Sequence, residues 1–377
     1  MATSVLGSVT LGYQPIWNRQ RRCAGVRLFV APTSTGAVDA RHLLDAIAGL
    51  WPATAPTLLL HVPSAPLREE LLSRPAVRGI WLEVPEAEGT APARGWQHKT
   101  PHALTPQQAL AALRAARQQR QDGAPGTARA PTSPERADAL NEDLASQELV
   151  NHALDQQHAW GVAGWPTDEI LLAYRWRQIQ PSHAHIRELL KALDRDEPLE
   201  SLEGRLYEEP LLTYRFLRYA NSAHVGARTE IASVRQGLMV MGYSQLGRWL
   251  AEQLPNASED INLDPIRASM VLRGRIMAQL CQAGLEDALR REVFLCGIFS
   301  QLDLLLGEPL GSAIHRLPLP GRIASAVVGQ TGPYAPWLAV ASALESTNTR
   351  VIREVCQAHG MAVDGVNRAL LRALAGL

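Results

Sequence analysis

The chain has 377 residues, of which 46% are hydrophobic and 20% charged, with 37 basic and 37 acidic side chains. That length holds two domains that each bury a core, and the composition excludes a disordered or fibrous chain. A formal net charge of zero leaves no basic surplus to hold a phosphate backbone, so nucleic acid is not an expected partner.

Short apolar runs alternate with helix-like stretches from Val9 to Glu86. Val26–Val30, Thr57–Val62 and Gly79–Val84 are strand candidates. Asp39–Leu50, with Leu43, Leu44, Ile47 and Leu50 at helical spacing, lies between the first two, and Leu67–Leu72 is a shorter helix before the third. Such alternation argues for parallel βαβ units. Residues 87–140 are rich in Pro, Gly, Ala, Arg and Gln. Thr105-Pro106-Gln107-Gln108 opens a helix carrying Leu110, Leu113 and Ala116. Residues 122–134 read as a flexible loop, and a helix is expected from Pro134 or Glu135 to Trp160, ended by Gly161–Pro166.

From Thr167 onward the pattern is helical almost throughout. Helices are expected over Leu171–Ile179, Ala184–Leu193, Glu200–Tyr207, Pro210–Tyr219, Ser233–Met241, Ser244–Gln253, Pro265–Gln282, Leu285–Leu306, Ile323–Gly329, Trp337–Thr347, Val351–His359 and Val363–Leu374. Ser233 and Ser244 suit N-caps, and Gly242 suits a C-terminal cap with positive φ. The expected architecture is α+β, with an α/β domain over residues 1–166 and an all-α domain over residues 167–377.

Only Lys99 and Lys191 are lysines, which removes lysine as a widely available catalytic base. Cys23, Cys281, Cys296 and Cys356 form no C-x-x-C pair and read as reduced thiols. The first 17 residues lack a basic segment followed by a long apolar core, and no run reaches the ~18 apolar residues of a membrane span. A cytoplasmic protein without membrane partners is expected.

The run Leu11-Gly12-Tyr13-Gln14-Pro15-Ile16, followed by Arg22–Val30, resembles the opening of an EAL domain, the cyclic di-GMP phosphodiesterase fold. The resemblance spans residues 9–86 and places three family metal-ligand positions on Arg27, His61 and Glu83. Only Glu83 keeps a ligand carboxylate; Arg27 would repel a metal. The family's Asp-Asp pair has no counterpart, since no Asp-Asp dipeptide occurs in the chain, and neither has its following lysine. Two-metal hydrolysis needs several carboxylates holding ions about 4 Å apart. A complete (β/α)₈ barrel takes about 250 residues, so a truncated EAL-type TIM-barrel remnant with deleted or remodelled middle strands is expected. The segment Trp160–Pro166 echoes the Gly-aromatic-Pro stretch that closes such domains. Without the family, Glu83 reads as a solvated or ion-paired carboxylate at a strand end.

Further along, Tyr219-Ala220-Asn221-Ser222-Ala223, then Ile231-Ala232-Ser233-Val234-Arg235 and Met241-Gly242, resemble the HDOD output domain of bacterial signalling proteins, an HD-like helical fold. Phe294–Asp303 and His315-Arg316-Leu317-Pro318-Leu319 continue that resemblance, which covers residues 185–375. Asn221 and Ser222 are the residues it singles out. They either end the Pro210–Tyr219 helix and hold the following turn, or line a groove inherited from the HD ancestor. Arg215, Arg218, Arg228 and Arg235 lie near them in sequence as a solvated face or a basic surface.

Chemistry is sparse. None of the 11 histidines is followed by Asp, as an HD phosphohydrolase requires. His183 and His185 point to different helix faces, and His224, His315 and His359 are isolated. No nucleophile elbow, P-loop or dinucleotide fingerprint occurs. The expected function is therefore non-enzymatic, without cofactor or metal. The resemblance implies a signal-transduction scaffold whose HDOD domain contacts protein partners, linked to cyclic di-GMP output, with the N-terminal remnant as a docking or homodimerisation element. A cyclic di-nucleotide receptor, using Arg19, Arg21, Arg22 and Arg27 for phosphates, is the alternative, and a metal-dependent phosphodiesterase the third reading.

Overall fold

The computed structural model describes residues 4–33, 38–84, 95–121, 138–226, 229–281 and 286–377. The 122–134 loop lies outside them. The chain divides into two units: residues 1–170 with 340–377, and residues 171–339.

In the first unit the order is β1 (Val9–Trp17), β2 (Cys23–Pro32), α1 (Ala40–Leu50), β3 (Thr57–His61), α2 (Ala65–Leu72), β4 (Ile80–Glu83), β5 (His98–Lys99), β6 (Pro101–Ala103), α3 (Pro106–Gln121), β7 (Leu140–Glu142), α4 (Gln147–Asn151) and β8 (Gly161–Ala163). Asp39 caps α1 by accepting from the His42 amide at 3.0 Å. Thr105 and Gln108 cap α3 reciprocally, side chain to backbone, at 2.8 and 3.3 Å.

These strands make one eight-stranded sheet, ordered β5-β4-β3-β2-β1-β8-β7-β6. Strands β2 to β5 run parallel, as do β6 to β8, while β1 is antiparallel to both its neighbours. The two terminal strands of that order, β5 and β6, are separated in sequence by Thr100 alone. The sheet therefore curls into a near-barrel. Deleted or remodelled middle strands are expected from the sequence; among the described residues β5 to β8 are only two or three residues each, and β5 and β6 are one run broken at Thr100. The expected helix from residue 134 or 135 to Trp160 is corrected. Leu140–Glu142 pairs in parallel with β6 and β8, and Asp143 turns the chain at φ 50° before α4.

Ile16, Leu59, Leu140 and Ala163 form a buried cluster, with Trp81 and Trp160 packed on it. The two indoles stack at 5.3 Å, and the buried Lys99 ammonium lies 5.6 and 5.3 Å from their centroids while donating to the Asp138 carbonyl at 2.7 Å.

Strand β1 pairs with β8 only at Ile16 and Trp17, so its Val9–Tyr13 stretch has no strand on that side. Asn367 fills the gap. Its amide donates to the carbonyls of Leu6 and Val9 at 2.7 and 2.8 Å, and its oxygen accepts from the Leu11 amide at 3.2 Å. At Gly12 a Cβ would lie 2.8 Å from both the Ser346 carbonyl oxygen and Ile352 Cδ1, so the chain after residue 340 presses directly on β1. Residues 340–377 thus belong with the N-terminal unit, where the sequence had grouped them with the helical one.

The helices continue with α5 (Thr167–Leu172), α6 (His183–Asp194), α7 (Leu199–Tyr207), α8 (Pro210–Ala220), α9 (Val234–Gln253), α10 (Asp264–Leu280), α11 (Asp287–Phe299), α12 (Leu302–Leu306), α13 (Leu310–Ile314), α14 (Gly321–Val327), α15 (Ala335–Leu344), α16 (Thr349–Ala358) and α17 (Val363–Ala375). The expected Leu171–Ile179 helix stops at Leu172, and the expected Leu285–Leu306 helix breaks at Ser300–Gln301. Ser233 caps α9 through the Gln236 amide. Gly242 takes the expected positive φ between two helical stretches, though with an extended rather than a left-handed ψ. It kinks α9 from within at φ 67°, ψ 171°, and Ser244 lies inside the resumed helix. Among the described residues no helix is long and apolar enough to cross a membrane.

Candidate functional site

Three sequence-flagged residues converge in the near-barrel. The two-residue period of β2, β3 and β4 puts Arg27, His61 and Glu83 on one face. Arg27 donates from Nε and Nη2 to the two Glu83 carboxylate oxygens at 2.8 and 2.7 Å, and from Nη1 to Glu142 at 2.7 Å and Gln14 at 3.4 Å. His61 Nδ1 lies 2.9 Å from Glu83 Oε1. One guanidinium thus sits between two carboxylates, in the bidentate geometry that suits arginine.

The electrostatics follow from that packing. Burial alone would raise the Glu83 carboxyl, but the hydrogen bonds from His61 and Arg27 and the Arg27 charge outweigh it and hold Glu83 below its ordinary value. Burial likewise opposes the charged Arg27, and the bonds and charges of Glu83 and Glu142 more than restore it. Glu142 and Gln14 were not singled out in the sequence. Glu142 fell inside a segment read as helix, so nothing marked it as facing Arg27.

The EAL resemblance implies a divalent cation at these positions, and the residues do not fit one. Both oxygens of Glu83 are engaged by Arg27, and the guanidinium supplies the positive charge the carboxylates require. Among the described residues no group of three or more His, Cys, Asp or Glu is arranged to hold a metal ion.

The other arginines offered for phosphate recognition are partly engaged. Arg21, in a positive-φ turn, is buried and donates to Asp155 at 2.7 and 2.6 Å and to Asn151 at 2.7 Å. Arg19 Nη1 lies 3.1 Å from His158 Nδ1. Arg22 is exposed.

In the helical unit, Asn221 follows α8 and ties down the next segment. Its amide donates to the carbonyls of Leu217 and Ile231, each at 2.8 Å, and its oxygen accepts from the Ile231 amide at 2.9 Å. All three bonds are to backbone, so the geometry matches the turn-holding reading. The buried Ser222 hydroxyl takes no hydrogen-bond partner among the described residues. Of the four arginines, Arg235 pairs with Glu200 at 2.7 Å and Glu203 at 3.4 Å, Arg215 donates to Gln180 and Gln253, and Arg228 lies outside the described residues.

The central ionic pair of this unit was not legible in sequence. Glu209 caps α8 through the Leu212 amide, accepts from the Ser182 amide at 3.2 Å and pairs with Arg267 at 2.9 Å. Arg267 also reaches Asp264 and the Gln180 carbonyl, at 2.8 and 2.9 Å. Spacings of 58 and 87 residues carry no local signal. Among the thiols, burial pushes Cys296 up to about 12 and Cys23 up to about 11, far from an activated nucleophile.

The HDOD domain family model matches residues 180–305. The chain is 25% identical over 169 residues to the uncharacterized protein YuxH of Bacillus subtilis, covering 43% of this chain and 40% of that one. It is 25% identical over 202 residues to the cyclic di-GMP phosphodiesterase CdgJ of Vibrio cholerae, covering 52% and 46%. Each alignment takes in less than half of the relative's length. Among solved structures it resembles the MmoQ response regulator from Methylococcus capsulatus, with TM-score 0.40 and 15% identity over 51% of this chain and 98% of that chain. The helical region of this chain contains an HDOD domain, at residues 180–305.

Proposed function

We propose that this chain is a non-catalytic signalling protein that acts by protein–protein contact through its HDOD domain, within cyclic di-GMP-linked regulation. The HDOD domain and the similarity to a cyclic di-GMP phosphodiesterase support a signalling role. The observation that carries the non-catalytic reading is Arg27. Its guanidinium spans Glu83 and Glu142, so the charge that a metal would bring to this cluster is already built into the chain. Protein partners, rather than a small substrate, are then the expected output, with the N-terminal unit as a docking element.

The test is hydrolysis of cyclic di-GMP by the purified full chain with magnesium or manganese. A rate equal to that of buffer supports the reading. Turnover that vanishes in Glu83→Gln would sink it, and would return Glu83 to a metal-binding role.

A further inference from the structure

A second polar site lies wholly within the helical unit. A hollow of about 390 Å³, open to solvent, is lined by Gln178, Gln180, Arg215, Glu252, Gln253 and Asn256. Its size falls within the range of small-molecule sites. Arg215 on α8 is half-buried there and donates to two neutral oxygens, Gln180 Oε1 at 2.8 Å and Gln253 Oε1 at 3.3 Å.

Removal of a guanidinium from water is costly unless an anion compensates it, and Arg215 has no ion pair among the described residues. Glu209, whose charge acts on Arg215, is committed to Arg267 and to two backbone amides. Burial accordingly pulls Arg215 below its ordinary value, Glu209 opposes this from a distance, and the Arg218 charge adds to the fall. The remaining guanidinium N–H groups can take a planar anion in a fork.

We propose that this hollow binds a small ligand through a carboxylate seated on Arg215, with the surrounding side-chain amides recognising its hydrogen-bonding groups. The charge count selects the anion. The half-buried Arg215 and the exposed Glu252 cancel before any ligand enters, so a monoanion leaves one net negative charge and a phosphate dianion two, which makes the monoanion the less costly guest. Four carboxamides, each both donor and acceptor, favour a ligand bearing an amide.

The experiment titrates the full-length protein with N-acetylglycine, with uncharged N-acetylglycinamide and with inorganic phosphate at matched ionic strength, read by saturation-transfer NMR and thermal unfolding. N-acetylglycine is expected to bind saturably, at least tenfold tighter than either of the others. Arg215→Gln should abolish that binding. Arg215→Lys should weaken it about tenfold, because an ammonium keeps the charge and loses the fork. Glu252→Gln, on an exposed position and so safe for folding, should tighten it severalfold. No saturable binding, phosphate binding as tight as the carboxylate, or affinity unchanged in both Arg215→Lys and Glu252→Gln would overturn the proposal.

Discussion

Arg27 holds Glu83 by two parallel hydrogen bonds, 2.8 and 2.7 Å long, and reaches Glu142 with a third nitrogen at 2.7 Å. The pair is nearly shielded from water, with side-chain exposures of 9% and 12%. Taking away one partner of such a pair leaves an uncompensated buried charge, which costs more than the pair contributes.

Arg27→Met should accordingly destabilise the N-terminal unit by about 3–5 kcal/mol, since it leaves two carboxylates facing each other. Glu83→Gln should cost less, because Glu142 still faces the guanidinium. Urea unfolding of the two variants checks the order. Arg27→Glu makes the sharper comparison. It adds a third carboxylate, so millimolar manganese should raise its unfolding temperature and leave the parent chain's unchanged. A manganese response of the parent as large as the variant's would defeat this account of the cluster.

The pH dependence should carry two opposite signatures. Glu83 is held below its ordinary 4.5 by the hydrogen bonds of His61 and Arg27 despite its burial. Its contribution is complete above the unfolded carboxylate value and disappears as pH falls through the lower folded value. Glu203 is raised above 4.5 by burial, in spite of Arg291 and Arg235. Its contribution is complete below the unfolded value and is lost as pH rises through the folded one. Thermal unfolding between pH 3 and pH 7 should show a shallower acid limb in Glu83→Gln. Glu203→Gln should instead gain relative stability toward neutral pH.

Asn367→Ala should cost about 2–4 kcal/mol, because it strands the Leu11 amide and the carbonyls of Leu6 and Val9 at a buried strand edge. Asn367→Asp keeps an acceptor for Leu11 but faces both carbonyls with a charge, and should be at least as damaging. Denaturant titration decides. A loss below about 0.5 kcal/mol, the scale of an ordinary surface change, would show that the C-terminal helices are not what completes β1.

Gly242→Ala isolates a conformational cost. A Cβ there meets nothing within 4 Å, yet φ 67° and ψ 171° lie in a region that is essentially glycine-only. A loss of about 1–3 kcal/mol is expected, visible in the unfolding of the helical unit. Neutral behaviour would mean that α9 straightens without penalty.

Much of the helical unit was legible in sequence because its information is local. Apolar spacing located α6 to α10 to within a few residues, and Ser233 announced the start of α9 by its own capping chemistry. In the near-barrel, β2, β3 and β4 showed themselves through apolar runs and α1 through its helical apolar spacing. Arg27, His61 and Glu83 were singled out by the EAL resemblance, and the register of β2, β3 and β4 brings them together. Tertiary structure alone decided the rest. Strands of two or three residues such as β5 to β8 are too short to carry a period, and exist only because neighbouring strands supply their hydrogen bonds. Glu142 reached Arg27 by that route. The same holds for Asn367 against β1, for Glu209 with Arg267, and for the return of residues 340–377 to the first unit. In each, partners far apart in sequence satisfy polar groups that neither segment could satisfy alone.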